Sequence, residues 1–158
     1  MIFKTKLEII IDTREQTPFS FDPVYAEVSR GTLKTGDYAL KNDTGFSIER
    51  KSLNDFVCTV TRDYERFCRE IERMNVAKYP CKVIIVEADF KDFCFYSSED
   101  EIINPMYISP KITPKFLWSR ISDLIFRNIN VIFAGDLGGA ICFALLMKRN
   151  DQILGVGV

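Results

Sequence analysis

Short apolar runs and one clear amphipathic stretch alternate with polar segments along the chain. The apolar run from Leu7 to Ile11 is bounded by polar residues, as buried strands usually are. From Thr61 to about Met74, apolar residues return every three or four positions, which predicts an amphipathic helix. Strands are predicted at Glu8–Asp12, Tyr25–Val28, Asp37–Leu40, Phe46–Arg50, Lys82–Glu87 and Asn130–Phe133, and helices at Leu53–Val60, Arg62–Met74, Pro114–Arg127 and Leu137–Lys148.

This alternation of strands and helices predicts an α/β fold. No Pro/Gly/Ser-rich linker, low-complexity run or internal repeat divides the 158 residues, a length at which one domain can bury its own core. We therefore expect a single domain over residues 1–158. Loops are expected at Gln16–Asp22 and Glu99–Ile112, and Asp136 is placed to cap the last helix.

Two acids and a lysine occur in an order that suits metal-dependent phosphodiester cleavage. Glu49 follows Asp37 by twelve positions, and Lys51 lies two residues beyond Glu49 on the same predicted strand. Because side chains alternate along a strand, Glu49 and Lys51 face the same side. Two carboxylates can hold a hard cation such as Mg²⁺, while an ammonium group orients a water molecule. The same spacing also fits a hairpin with solvated charges, which is common in charged sequences.

Further acids lie near the same predicted edge of the sheet. Asp12 and Glu15 follow the first apolar run, and Asp55 begins the first predicted helix. With Asp37 and Glu49 they would gather five carboxylates in a small space. Such a cluster repels itself unless a cation binds or some acids are protonated, so a metal ion is the favoured explanation.

The predicted helix that follows carries a basic stripe. Arginines recur at intervals of four, three and four residues, opposite the apolar face, at Arg62, Arg66, Arg69 and Arg73. This stripe could contact phosphates. It could equally be a solvated face on which neighbouring glutamates pair with the arginines.

Three nearby residues allow both structural and functional interpretations. Ser52 and Asp55 fit a capping box, so the acid could serve the helix or the site. Arg50 should point away from Glu49, where it could support the site through an ion pair. Arg14 is a candidate phosphate clamp, since a guanidinium group binds two phosphate oxygens at once, or it could neutralise a neighbouring acid.

Composition narrows the chemistry. The chain contains no histidine, which excludes histidine-based hydrolases and most zinc enzymes. Its five cysteines are scattered without a C-x-x-C pair, so a disulfide framework or a zinc site is not expected. With no membrane-length apolar run and no signal-peptide pattern, we expect a soluble intracellular protein, cytoplasmic, or nuclear in a eukaryote. The net charge of −1 does not by itself indicate a nucleic-acid partner.

Four segments together resemble the XPF-type structure-specific endonucleases. The family pattern is an acid-x-Arg-Glu strand end, then Gly-Asp, then Glu-Arg-Lys-x-x-x-Asp, then an Arg-Phe pair on a helix. Matching segments are Ile11–Glu15, Gly36–Tyr38, Glu49–Asp55 and Arg66–Phe67. The resemblance implies the PD-(D/E)XK, restriction-endonuclease-like fold, with a central mixed sheet flanked by helices.

The resemblance also implies an activity. The implied activity is that of a DNA endonuclease that acts on flaps, junctions or other branched DNA in repair or recombination. It would use Mg²⁺ or Mn²⁺ and no nucleotide cofactor, and it would leave 5′-phosphate and 3′-hydroxyl ends. Asp37 and Glu49, with Asp12 as a further candidate, would hold the metal. The implied catalytic set is Asp37, Glu49, Lys51, Asp12, Arg50, Asp55 and Glu15, and the DNA-binding set is Arg14, Arg62, Arg66 and Arg69.

The chain also departs from the archaeal and eukaryotic family members. We expect neither their helix-hairpin-helix domain nor a helicase domain, and the chain is nearer to compact phage or bacterial members. Its last two predicted helices are unusually apolar, a surface that is more often buried inside the fold but that a twofold partner could also cover. The resemblance favours the second alternative and implies a homodimer through these helices. A non-cleaving DNA-binding or scaffold subunit, or an exonuclease or nicking enzyme, remains the alternative.

Overall fold

The computed structural model describes residues 5–76, 81–94 and 114–156. Within these ranges it contains six strands and five helices. The strands are β1 (Leu7–Asp12), β2 (Ala26–Gly31), β3 (Tyr38–Leu40), β4 (Phe46–Lys51), β5 (Cys81–Val86) and β6 (Ile129–Phe133). The helices are α1 (Leu53–Val60), α2 (Tyr64–Val76), α3 (Phe90–Cys94), α4 (Pro114–Phe126) and α5 (Gly138–Leu154).

The strands form one mixed sheet in the order β2-β1-β3-β4-β5-β6. β3 runs antiparallel to both of its neighbours, β1 and β4. The outer pairs, β1 with β2, β4 with β5, and β5 with β6, are parallel. The predicted α/β fold with a central mixed sheet is confirmed.

Alternating side chains of the sheet enter two separate apolar cores. Ile84 and Val86 of β5 pack with buried residues of α1, α2 and α4. Val83 and Ile85, which alternate with them along β5, pack instead in a second core that includes Cys142 and Leu146 of α5. The sheet is thus covered by helices on both faces. β5 and β6 contribute side chains to both cores, whereas the core residues of β1, β3 and β4 all belong to the core that includes α5.

The structure corrects several predicted boundaries. α2 begins at Tyr64 rather than Arg62, because residues 61–63 form a turn in which the amide of Asp63 donates to the carbonyl of Cys58. α3 was not predicted. The predicted loop at Gln16–Asp22 is confirmed as irregular chain, and the one at Glu99–Ile112 lies outside the described residues.

The final helix differs most from expectation. It continues to Leu154, six residues past its predicted end, and stops where Gly155 adopts the left-handed conformation that favours glycine. The prediction that Asp136 caps it is wrong, because the N-cap is Leu137 and makes no side-chain capping bond. Gly138, the first residue of α5, lets the helix approach Phe19, whose ring would lie 2.8 Å from a Cβ added at Gly138.

Neither of the last two helices buries its whole surface. Leu117, Ile121 and Leu124 of α4 are buried, whereas Trp118 is 51% exposed and Phe126 is 89% exposed. None of the helices in the described ranges has the length and apolarity needed to span a bilayer. The thiols of Cys58, Cys68 and Cys142 are free.

Candidate active site

Asp37, Glu49 and Lys51 line one cleft beside the centre of the sheet. β3 and β4 are antiparallel with Tyr38 opposite Ile48, so Asp37, just before Tyr38, lies near Glu49, just after Ile48. The cleft has a volume of about 600 Å³. Its lining residues are Arg14, Lys34, Thr35, Gly36, Asp37, Glu49, Lys51, Thr59, Asp63, Arg66, Phe67, Glu70, Arg73 and Lys82.

Asp37 is held from one side by the main chain. Its Oδ2 accepts a 2.8 Å hydrogen bond from the amide of Arg50. Burial, and then the negative charge of Glu49, raise the pKa of Asp37 to about 6. The raised pKa follows from the partial burial of Asp37 and from the like charge beside it.

Glu49 lies between two lysines. Nζ of Lys51 is 3.2 Å from its Oε1, and Nζ of Lys82 is 3.8 Å from its Oε2. Lys82 reaches this position because it stands opposite Ser47 in the parallel β4–β5 register, on the same face as Glu49. Its burial lowers the pKa of the Lys82 ammonium.

Gly36 lets the chain enter β3 at the floor of the cleft. Its φ is +78°, in the left-handed region where glycine is favoured. An added Cβ would lie 2.9 Å from the Ser47 Cβ and Oγ and 3.0 Å from the carbonyl oxygen of Ile48. The glycine of the Gly-Asp motif is therefore required by both conformation and space.

Asp12 faces its own loop rather than the cleft. Its Oδ1 accepts from the amide and from Nε of Arg14, at 2.9 and 2.6 Å, and its Oδ2 accepts from the amide of Leu33 at 2.7 Å. The hydrogen bond from Arg14 lowers the pKa of Asp12 to about 2. Asp12 thus places Arg14, which lines the cleft and whose side chain is 68% exposed.

Glu15 and Arg50 belong to a network on the other side of the sheet. The Arg50 guanidinium pairs with both carboxylate oxygens of Glu87 at 2.9 and 3.0 Å, and lies 3.6 Å from Glu15. It also donates to the carbonyl of Thr17 and lies over the Phe19 ring. The expectation that Arg50 points away from Glu49 into an ion pair is confirmed.

Asp55 takes part in the cap of α1. Its amide donates to Oγ of the N-cap Ser52 at 3.1 Å, and that hydroxyl donates to Asp55 Oδ2 at 2.8 Å. The predicted gathering of five carboxylates is therefore wrong. Asp37 and Glu49 share the cleft, while Asp12, Glu15 and Asp55 are bound to partners of their own.

The basic stripe of α2 divides. Arg66 and Arg73 line the cleft, whereas Arg62 and Arg69 do not. Arg66 also lies 3.7 Å from Asp63, which belongs to the same wall. Two members of the stripe thus lie at the cleft and two lie outside it.

Asp37 and Glu49 are two cleft residues that could bind a hard divalent ion. Among the residues with assigned positions, no three Asp, Glu or Cys side chains converge on one point. Asp37 and Glu49 offer carboxylate oxygens, the ligand type that Mg²⁺ prefers, and such ions usually keep several waters. A cation beside Asp37 would favour its ionised form and so lower its raised pKa. The two carboxylates are therefore compatible with a bound cation.

Two basic residues of the cleft were missed by the sequence analysis. Lys34 lies in the loop between β2 and β3, where the sequence offers no signal. Lys82 does carry one, since it is a charged residue inside the apolar strand Cys81–Val86. A lysine at such a position needs a charged partner, and Glu49 supplies it at 3.8 Å.

Comparisons with known proteins agree with this architecture. Residues 11–136 match the ERCC4 domain. XPF from Aeropyrum pernix in complex with DNA superposes with a TM-score of 0.63 and 17% identity, covering 93% of this chain and 66% of that one. XPF from Aeropyrum pernix without DNA gives 0.61 and 18%, covering 94% and 68%.

The chain spans about two thirds of the length of these archaeal chains. No curated protein matches its sequence. At such low identity the structural likeness shows the fold, which is that of XPF nuclease domains, a PD-(D/E)XK-type fold. The matched segment includes Asp12, Asp37, Glu49, Lys51 and Asp55 and covers most of the chain, and the chain therefore belongs to the ERCC4 domain family.

Proposed function

We propose that the chain is a divalent-metal-dependent DNA endonuclease that cuts branched DNA, such as flaps and junctions. Membership of the ERCC4 domain family implies a DNA endonuclease. The observation that carries the proposal is the placement of Asp37, Glu49 and Lys51 in one cleft. In addition to Lys51 and Lys82, four basic side chains line the same cleft: Arg14, Lys34, Arg66 and Arg73. The products would carry 5′-phosphate and 3′-hydroxyl ends.

Asp37 and Glu49 would hold Mg²⁺, which Mn²⁺ could replace, with waters and a backbone carbonyl as further ligands. A bound divalent ion polarises a phosphate and lowers the pKa of a water molecule. Lys51 is held 3.2 Å from Glu49 Oε1, so its ammonium can donate to the attacking water or to a phosphate oxygen. Arg14 and Arg66, both exposed at the cleft, would bind flanking phosphates and align the strand for attack.

Cleavage of a DNA panel tests this function. The full chain is incubated with Mg²⁺ or Mn²⁺ and flap, fork, four-way-junction, duplex or single-stranded DNA. Asp37→Asn and Lys51→Ala should each lower the cleavage rate by at least about 100-fold while leaving the circular dichroism spectrum unchanged. Glu8→Gln is the matched control, because Glu8 pairs with Lys41 outside the cleft.

The outcomes separate the alternatives. Preferential cutting of branched DNA supports the proposal, and degradation from free ends would indicate an exonuclease. Binding of branched DNA without cutting under either metal would indicate a non-cleaving subunit. Near wild-type turnover by either cleft variant would refute the assigned chemistry.

A homodimer through α4 and α5 belongs to the same proposal. Each helix separately carries exposed apolar residues that support it, since α4 and α5 pack on opposite faces of the sheet. These residues are Trp118, Ile125 and Phe126 on α4, and Ile153 and Leu154 on α5. Phe126→Glu should shift the light-scattering mass to that of a monomer, whereas Val24→Glu, at an exposed site before β2, should not. A wild-type mass that stays monomeric at micromolar concentration would refute the dimer. An intracellular location is part of the same proposal, since DNA is the proposed substrate.

A further inference from the structure

Lys82 differs from the other cations of the cleft by its burial. Its side chain is 8% exposed, and its Nζ lies 3.8 Å from Glu49 Oε2 and 5.7 Å from the centre of the Phe67 ring. A surface lysine can turn its ammonium into solvent when another cation arrives. Lys82 is enclosed between β4, β5 and α2, so its charge stays beside Glu49.

This placement has two opposite electrostatic effects. Without a divalent ion, the ammonium offsets the charge of Glu49 next to the partly buried Asp37. When a divalent ion binds the same carboxylates, it and the Lys82 ammonium repel each other. The first effect stabilises the empty cleft, and the second weakens binding of the ion.

We propose that Lys82 is a built-in counter-ion of Glu49 that raises the divalent concentration at which the site fills. This inference rests on the proposed function, since it requires Asp37 and Glu49 to bind the ion. Lys82 acts through Glu49 and is a positioning residue. It need not touch DNA.

The sign of the effect distinguishes this role from ordinary structural support. If Lys82 only kept the cleft in shape, a neutral replacement would weaken divalent binding. If it competes with the ion, a neutral replacement strengthens binding, because the repulsion is lost. Lys51 still contacts the other oxygen of Glu49, so the carboxylate keeps a partner that orients it.

The experiment is calorimetric titration of the full chain with MgCl₂ and with MnCl₂, without DNA, at pH 8. Lys82→Met and Lys82→Gln should lower the Kd for either ion at least about fivefold. Lys82→Arg retains the charge and should stay within about twofold of wild type. Lys91→Met is the matched control, since Lys91 also lies 3.8 Å from a carboxylate, that of Asp89, but is 72% exposed and outside the cleft.

The possible outcomes are separable. Tighter binding by the neutral variants alone supports the inference. Wild-type binding with unchanged or weaker binding by Lys82→Met and Lys82→Gln overturns it and leaves the metal site standing. Absence of any binding by the wild type would instead refute the proposed metal site. If thermal melting shows that neither neutral variant folds, Lys82 is structural and the inference is also overturned.

Discussion

Nε of Arg14 lies 2.6 Å from Oδ1 of Asp12, and this pair joins an exposed arginine of the cleft to a fully buried carboxylate. Asp12 also accepts the amide of Leu33, so one side chain ties the end of β1 to the loop before β3. That loop carries Lys34, Thr35 and Gly36, all at the cleft. Asp12 therefore organises the cleft wall without facing the cleft.

Asp12→Asn should destabilise the fold near neutral pH and less in acid. The pKa of Asp12 is lowered from 3.8 to about 2 in the folded state. The stabilisation by the ionised Asp12 carboxylate is therefore complete above about pH 4 and is lost as the pH falls towards 2. Since Arg14 is exposed, we expect a loss of about 1 kcal/mol. Urea unfolding from pH 6 to 2.5 measures it. A wild type and variant that differ equally at every pH would contradict the assigned carboxylate.

Asp37→Asn should have the opposite effect on stability. Burial and Glu49 raise the pKa of Asp37 to about 6. The folded state is therefore most stable, with respect to this group, below about pH 4, where Asp37 is protonated in both states, and it loses that stability as the pH rises through 6. The variant lacks this ionisation and should be more stable than wild type by about 1 to 2 kcal/mol at pH 8 with EDTA. At pH 4 the two should be equal. Urea unfolding at both pH values checks this, and a variant less stable at pH 8 would contradict it.

Gly36→Ala should be more damaging than Gly155→Ala. Both glycines have positive φ, +78° and +65°, so alanine is strained at either site. An added Cβ at Gly155 meets nothing within 4 Å, whereas at Gly36 it meets Ser47 and Ile48 at 2.9 to 3.0 Å. We expect losses of about 1 kcal/mol at Gly155 and at least about 3 kcal/mol at Gly36. Thermal melting compares them, and equal losses would refute the steric argument.

Arg50→Ala should weaken the fold but not the carboxylate pair. The side chain joins Glu87, Glu15 and the Thr17 carbonyl on the side away from the cleft. Its removal should cost about 2 kcal/mol, since Glu87 loses a bidentate partner. The main-chain amide that holds Asp37 remains, so the Mg²⁺ Kd should stay within about twofold of wild type. Unfolding and calorimetry are measured on the same sample, and lost binding at unchanged stability would contradict this role.

The regular elements were largely predictable because their periodicity is strong. α1 has its predicted bounds, and the first and fourth strands are each one residue longer than predicted. The short helix α3 was missed. α5 runs past its predicted end to a glycine stop signal at Gly155. Pattern identifies an element more reliably than it locates its ends.

The site was predictable where side-chain direction follows from strand alternation. Glu49 and Lys51 share a face as expected, and Arg50 takes the other. Asp12 ends β1 and Asp55 lies in the first turn of α1, and at such positions local hydrogen bonds decide the direction of the carboxylate. The sequence does not show those bonds, so the two residues were assigned to the cleft and instead bind Arg14 and Ser52.

The connection between β3 and β4 determines which side chain of the motif enters the cleft. Asp43 in this connection is fixed to Arg149 of α5 by hydrogen bonds of 2.7 and 2.9 Å. A single-residue insertion that slipped the pairing of β4 by one position would turn Glu49 away and bring Arg50 into its place. A change of length in this hairpin therefore preserves the site only where the loop absorbs it without moving the β3–β4 register.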